Sequence, residues 1–166
     1  MTVAGKSDSI LDAAARQEWL ARCEAAYVTV YRGLVAMGAT RDDAADALQD
    51  AFEDALRQRT QVARAEGWLF VVAKRRWRRA RWRRRLFRPL ELALGGVATD
   101  RDEGIDLLNE LGRLTERQRT VIVSRYVLGL SQREIAELLG IAPGTVAATM
   151  HQATALLRAR LMGGTK

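Results

Sequence analysis

Histidine and cysteine are nearly missing from this chain: His151 and Cys23 are the only ones among 166 residues. One of each is too few for a disulfide framework, a zinc cluster or a His-based nucleophilic triad. No phosphate-cradling glycine motif occurs either, so no catalytic residue, metal or cofactor is expected and an enzyme is improbable on composition. The N-terminal MTVAGKSDSILDAAARQEW has no apolar core of signal-peptide length, and no uncharged apolar run is long enough to span a bilayer. These absences point to a reduced, cytoplasmic protein.

One stretch combines a lack of negative charge with dense positive charge. Between Lys74 and Arg88 ten of fifteen residues are Lys or Arg and none is Asp or Glu, with Trp77 and Trp82 set among them. The whole chain has 27 basic and 20 acidic residues, so without those ten the remainder is slightly acidic, 17 against 20. Charge gathered this tightly reads as a footprint for phosphate polyanions or anionic lipid. A hydrophobic content of 48% is enough to bury a core in one domain or in two small ones.

The rest of the chain has helical period throughout. Trp19, Leu20, Cys23, Tyr27, Val30, Tyr31 and Leu34 recur at steps of three and four, which places Cys23 in a buried stripe. Gly38 reads as a helix stop and Thr40 as the N-cap of a second helix. That helix has an apolar stripe of Ala44, Ala47, Leu48, Ala51, Phe52, Ala55 and Leu56, with acids on its other surface. After a polar link, Trp68, Phe70, Ala73, Trp77, Ala80 and Phe87 carry a stripe through the arginines, so the basic run is expected to be a helix with Trp77 in its core face and Trp82 off it. From Pro89 to Gly104 the period lapses among one proline and three glycines, the composition of a flexible linker.

Beyond the linker the punctuation is clear. TERQ at Thr115–Gln118 and SQRE at Ser131–Glu134 both fit capping boxes. QREIAELLGIAPGTVAATM, from Gln132, then has the spacing of a helix-turn-helix. Ala136 allows close helix crossing, Gly140 supplies the positive φ of the turn, and Pro143 suits a first helical turn. Ile135, Leu139, Ile141 and Val146 supply the wedge between the helices.

Three stretches in this order, TRDDAADALQDAFEDALR, GWLFVVAKRRWRRARWRRR and LGRLTERQRTVIVSRYVLGLSQREIAELLGIAPGTV, together resemble a bacterial RNA polymerase sigma factor of the extracytoplasmic-function (ECF) type, within the sigma-70 family. The resemblance covers roughly Leu20 to Leu161. It implies an all-α fold of two small helical domains: region 2 at residues 8–88, a linker at 89–104, and a region 4 helix-turn-helix at 105–162. It implies a transcription initiation factor that binds core RNA polymerase through the beta-prime clamp helices and the beta flap, recognises promoter DNA, and can be held by an anti-sigma factor, in the cytoplasm at the nucleoid.

Residue by residue, the resemblance places core-polymerase binding on Asp43, Asp46, Gln49 and Asp50, with Phe52 read as core. It places the minus-ten element and promoter melting on Lys74, Arg75, Arg76, Arg78, Arg79, Arg81 and Trp82. The chemistry agrees, since arginines neutralise phosphates and an indole offers a face to unstacked bases. Minus-thirty-five contacts fall on Arg133, Thr145, Ala147, Ala148, His151 and Gln152, with further phosphate grip from Arg158 or Arg160.

Two departures from the family pattern stand out. Arg75 and Arg79 replace an asparagine and an aspartate that the family usually has after its WLxxIA stretch, and Gly140 to Leu157 contains no charged residue where the family's recognition helix carries basic ones. Other readings are a sigma-like adaptor whose region 4 binds protein, a stand-alone helix-turn-helix repressor, and an amphipathic membrane binder. The last is disfavoured because the cations encircle the helix instead of lying opposite a broad apolar face.

Overall fold

The computed structural model describes residues 4–57, 64–87 and 103–163. Among them are seven helices and no strand: α1 Ala4–Ala36, α2 Arg41–Arg57, α3 Ala65–Phe87, α4 Glu103–Gly112, α5 Glu116–Tyr126, α6 Gln132–Leu139 and α7 Pro143–Gly163. The fold is all-α. Most of the expected linker, residues 89–102, lies outside the described residues, and Glu103 and Gly104 already belong to α4.

The first unit is a three-helix packing of α1, α2 and α3. Helix α1 ends where Gly38 takes φ +97° and the Ala39 N–H donates to the Leu34 carbonyl. The Thr40 hydroxyl accepts from the Asp43 N–H at 3.1 Å and so caps α2, as its position before the acidic helix implied. Ala44, Ala47, Leu48, Ala51 and Ala55 are buried along α2, and small residues there let α1 and α3 approach closely. Leu56, expected in that stripe, is exposed instead, because it sits at the last turn, where the Arg16 guanidinium comes over to donate to its carbonyl. Cys23 is fully buried, and burial pushes its thiol up to about 11. Trp19 and Trp68 meet edge to face at 5.3 Å beside it.

Helices α4 to α7 form the second unit. Both expected capping boxes are present: Thr115 and Gln118 exchange side-chain-to-backbone bonds at the start of α5, and Ser131 and Glu134 do so at the start of α6. The α6–α7 pair is a helix-turn-helix. Gly140 caps α6 at φ 64°, ψ 38°, a left-handed conformation that costs a residue with a Cβ but not glycine. Pro143 opens α7, while Ile135, Ala136 and Val146 are buried and Leu139 and Ile141 pack partly buried against them.

The two units share one core. Val121, Val123, Leu128, Leu130, Ile135 and Val146 of the second belong to the same buried cluster as Val30, Leu34, Leu48, Leu69, Phe70 and Trp77 of the first. Two glycines lie at the contact. A methyl group added at Gly33 would lie 3.4 Å from the side chains of Phe70, Val123 and Leu128, and one added at Gly67 would lie 3.4 Å from Leu138 and 3.5 Å from Leu130. Ion pairs also cross the seam, but exposed pairs contribute only about 0–1 kcal/mol each. Fully burying one leucine or phenylalanine is worth about 1.5–3 kcal/mol, so the apolar contacts dominate the closure.

Candidate nucleic-acid interface

Helices α2 and α3 run side by side and expose opposite charges. On α2, Asp46, Gln49 and Asp50 are exposed and Asp43 half-buried, while Phe52 turns inward against Tyr27 at 6.0 Å between ring centroids. The core reading of Phe52 and the open acidic face of α2 both follow from the helical repeat, which places Asp43 and Asp50 about half a turn from Phe52.

Along α3 the cations divide into distinct environments. Arg76 is committed to α2: its Nε donates to Asp54 at 3.1 Å and its Nη2 at 2.6 and 2.7 Å, and these bonds raise its pKa. Lys74 is folded inward, with only 14% of its side chain exposed, donating to the Thr120 hydroxyl at 3.1 Å and lying 3.7 Å from Glu116 of α5. Burial lowers its pKa, partly offset by Glu116. Arg78 donates to the same Glu116 carboxylate at 2.8 Å. Arg75, Arg79 and Arg81 are exposed, and Arg81 stacks its guanidinium 5.8 Å from the ring of Trp77.

The tryptophans separate as the stripe implied. Trp77 is 5% exposed and belongs to the core, whereas Trp82 is 64% exposed. The side chains of Arg84, Arg85 and Phe87 lie outside the described residues. Of the seven side chains expected to meet DNA on this helix, the structure therefore leaves Arg75, Arg79, Arg81 and Trp82 open to solvent. It holds Lys74 and Arg78 on Glu116 and ties Arg76 into the fold.

Between α3 and the start of α5 lies a groove of about 870 Å³. Among the described residues its walls carry Lys74, Arg75, Arg78, Arg79, Arg81 and Arg119 with Glu116 as the one acid, and Trp82 stands at its side. Arg119 closes the inner end by donating to three carbonyls, Met37 at 2.9 Å, Gly112 at 2.6 Å and Leu114 at 3.0 Å, so that one guanidinium joins the ends of α1 and α4 to α5. Burial lowers its pKa.

In the helix-turn-helix, Val146 and Ala153 are buried and Met150 and Leu157 half-buried, the inward face that the spacing implied. Ala148, His151 and Gln152 are exposed on the other side, while Thr145 and Ala147 are half-buried. Thr149 is buried at 9% exposure, so a basic residue substituted there would not reach a groove. Arg133 is exposed and pairs with Glu137 one turn on at 3.2 Å. Arg160 is half-buried 3.7 Å from Glu110 of α4, while Arg158 is exposed.

The residues that sequence reasoning missed are Glu116, Arg119 and the Arg64–Glu134 pair at 2.9 Å. Glu116 appeared only within the TERQ capping box and Glu134 as half of the SQRE one. Their partners lie 38 and 70 residues away, and no local pattern signals a pairing at that range.

Comparison with known proteins agrees with this architecture. Residues 105–157 match the family Sigma-70, region 4. The ECF RNA polymerase sigma factor ShbA of Streptomyces griseus is 41% identical over 49 residues, 30% of this chain and 26% of that protein. The RNA polymerase sigma-E factor of Streptomyces coelicolor is 41% identical over 56 residues, 34% of this chain and 32% of that protein. The aligned part thus spans about a quarter to a third of these relatives.

Solved structures extend the likeness to the whole chain. CnrH, in complex with the cytosolic domain of CnrY, superposes with a TM-score of 0.65 at 25% identity, covering 94% of this chain and 97% of that one. The sigma factor RpoE of Bartonella quintana, in complex with the anti-sigma factor NepR, gives 0.64 at 21% identity over 88% and 95%. The helix-turn-helix and its preceding helices are thus a sigma-70 region 4. Beyond that region, the chain shares the all-α fold of these two solved structures. Among the described residues no helix is long and apolar enough to cross a membrane.

Proposed function

We propose that this chain is a promoter-specificity factor without catalytic chemistry of its own, which binds core RNA polymerase and directs it to particular promoters. Asp43, Asp46, Gln49 and Asp50 on α2 form the docking face for the polymerase clamp helices, and region 4 meets the beta flap. Arg75, Arg79 and Arg81 hold the phosphates of the minus-ten element, joined by Lys74 and Arg78 once these leave Glu116. Trp82 receives an unstacked base during melting. Ala148, His151 and Gln152 face the minus-thirty-five element, where glutamine can pair with adenine and alanine can meet a thymine methyl. Domain limits of 8–88 and 105–162 with a linker between them belong to the same reading, as do a cytoplasmic, nucleoid-associated location and an anti-sigma partner.

The observation that carries it is the exposure of Trp82 among Arg75, Arg79 and Arg81, next to the acidic face of α2 and ahead of a sigma-70 region 4. A buried indole would have left only a nonspecific polyanion clamp. Run-off transcription with core polymerase and the purified chain on genomic promoter fragments tests it. Specific transcripts that depend on the chain are expected; no core binding and no initiation would sink the reading.

The absence of charge from Gly140 to Leu157 favours one second reading, an adaptor whose region 4 binds protein. Substituting lysine at the exposed Ala148 separates them. A large gain in promoter output supports DNA contact, and no gain supports the adaptor.

A further inference from the structure

Glu116 is the first residue of α5, in region 4, yet its carboxylate lies on the basic helix of region 2. It accepts from Arg78 at 2.8 Å and stands 3.7 Å from the ammonium of Lys74. The seam beneath it is apolar, with Leu130 and Leu138 packed over Gly67, and Arg64 fastens its other end to Glu134 at 2.9 Å. An anionic oxygen held by two adjacent cations on one helix face is the arrangement that a backbone phosphate makes there.

We propose that region 4 is an intramolecular inhibitor of the basic helix: Glu116 occupies the phosphate position at Lys74 and Arg78, and nucleic acid must displace it. This rests on the reading of α3 as the nucleic-acid helix. The block is selective. The acidic face of α2 and the outward residues of α7 remain exposed in the closed chain, with Asp46, Gln49 and Asp50 on the first and Ala148, His151 and Gln152 on the second. Polymerase can therefore engage the closed form through α2 before the seam opens, and single-stranded promoter DNA engages fully only afterwards. Among the described residues the groove also has several cations against one carboxylate. That imbalance leaves the closed form short of negative charge and readies it to exchange Glu116 for a more highly charged strand.

The test uses the full chain and a short fluorescent single-stranded oligonucleotide, with affinity read by anisotropy and the radius of gyration by small-angle scattering. Glu116→Gln removes the internal anion and should tighten binding about threefold or more, the size expected of a lost exposed ion pair. Glu24→Gln, the same charge change at an exposed position on α1, controls for net charge and should stay near the parent. Gly67→Glu forces Leu138 and Leu130 away and should enlarge the particle and tighten binding, although its added negative charge alone predicts weaker binding.

An enlarged Gly67→Glu chain without tighter binding overturns the proposal. So does a chain in which neither Glu116→Gln nor Gly67→Glu changes affinity. Failure of the underlying reading looks different: Arg79→Glu, outside the contact with Glu116, would leave oligonucleotide binding untouched in both the parent and the opened chain.

Discussion

The Arg76 guanidinium grips the Asp54 carboxylate through both Nε and Nη2, at 3.1, 2.7 and 2.6 Å, across the packing of α2 against α3. An arginine in the middle of the basic run is thus part of the scaffold, while Arg75 and Arg79 beside it point to solvent. Charge density along a sequence does not say which charges are available.

Arg76→Ala is therefore expected to lower the melting temperature while changing oligonucleotide affinity by less than about twofold, since no phosphate contact is lost. Arg79→Ala should do the reverse, leaving the melting curve in place and reducing both affinity and its salt dependence. Parallel thermal melts and anisotropy titrations at two salt concentrations check this pair.

Charge reversal at Arg78 and Arg81 should damage promoter binding more than Gln152→Ala, by tenfold or more if roughly two phosphate contacts are lost. On the proposed reading the cationic grip lies in region 2, and α7 as far as Leu157 offers the exposed Ala148, His151 and Gln152 but no charge. Holoenzyme binding to a promoter duplex measures the ranking, and the opposite order would put the grip in region 4.

Cys23 is buried between Trp19 and Ala55, and its thiol is raised from 9.0 to about 11. The protonated form is favoured in the fold, so the associated stability is fully present below pH 9 and is lost as pH rises through about 11. Iodoacetamide at pH 8 should leave the native chain unmodified and label it rapidly in denaturant, as followed by mass spectrometry.

At the start of α6, the backbone N–H of Ser131 donates to Glu134 at 2.7 Å, and this bond, ahead of the nearby Arg64, holds the carboxyl below its ordinary 4.5. Its folded pKa is depressed, so the stability it adds is present above pH 4.5 and is lost as pH falls through the folded value. Ser131→Ala should cost about 1 kcal/mol at neutral pH by removing the cap, measured by urea denaturation.

Gly140→Ala should also cost about 1 kcal/mol, because the turn holds φ at +64° where a Cβ crowds the backbone. Alanine at the exposed Gly144, in the first turn of α7 with open space around its Cα, should be neutral or slightly stabilising. Denaturation midpoints of the two variants make the comparison.

Most of the fold was legible locally. Thr40, Thr115 and Ser131 cap the helices they were expected to cap, and Gly38 and Gly140 turn the chain where a left-handed residue was needed. Trp77 went to the core and Trp82 to the surface because a period of 3.6 residues places them about half a turn apart. Leu56 departed from expectation where a helix end changed the environment that the period alone assigns.

By itself the sequence determined the helices, their ends, the inward faces and the order of an acidic, a basic and a helix-turn-helix segment, since each depends on contacts within a few residues. Tertiary structure alone decided that the two units share one core and that Lys74 and Arg78 meet Glu116, 42 and 38 residues away. The physical reason is that periodicity names the face that must leave water but not the surface that covers it. Likewise, a charge pattern supplies cations without choosing which will be neutralised from within the chain.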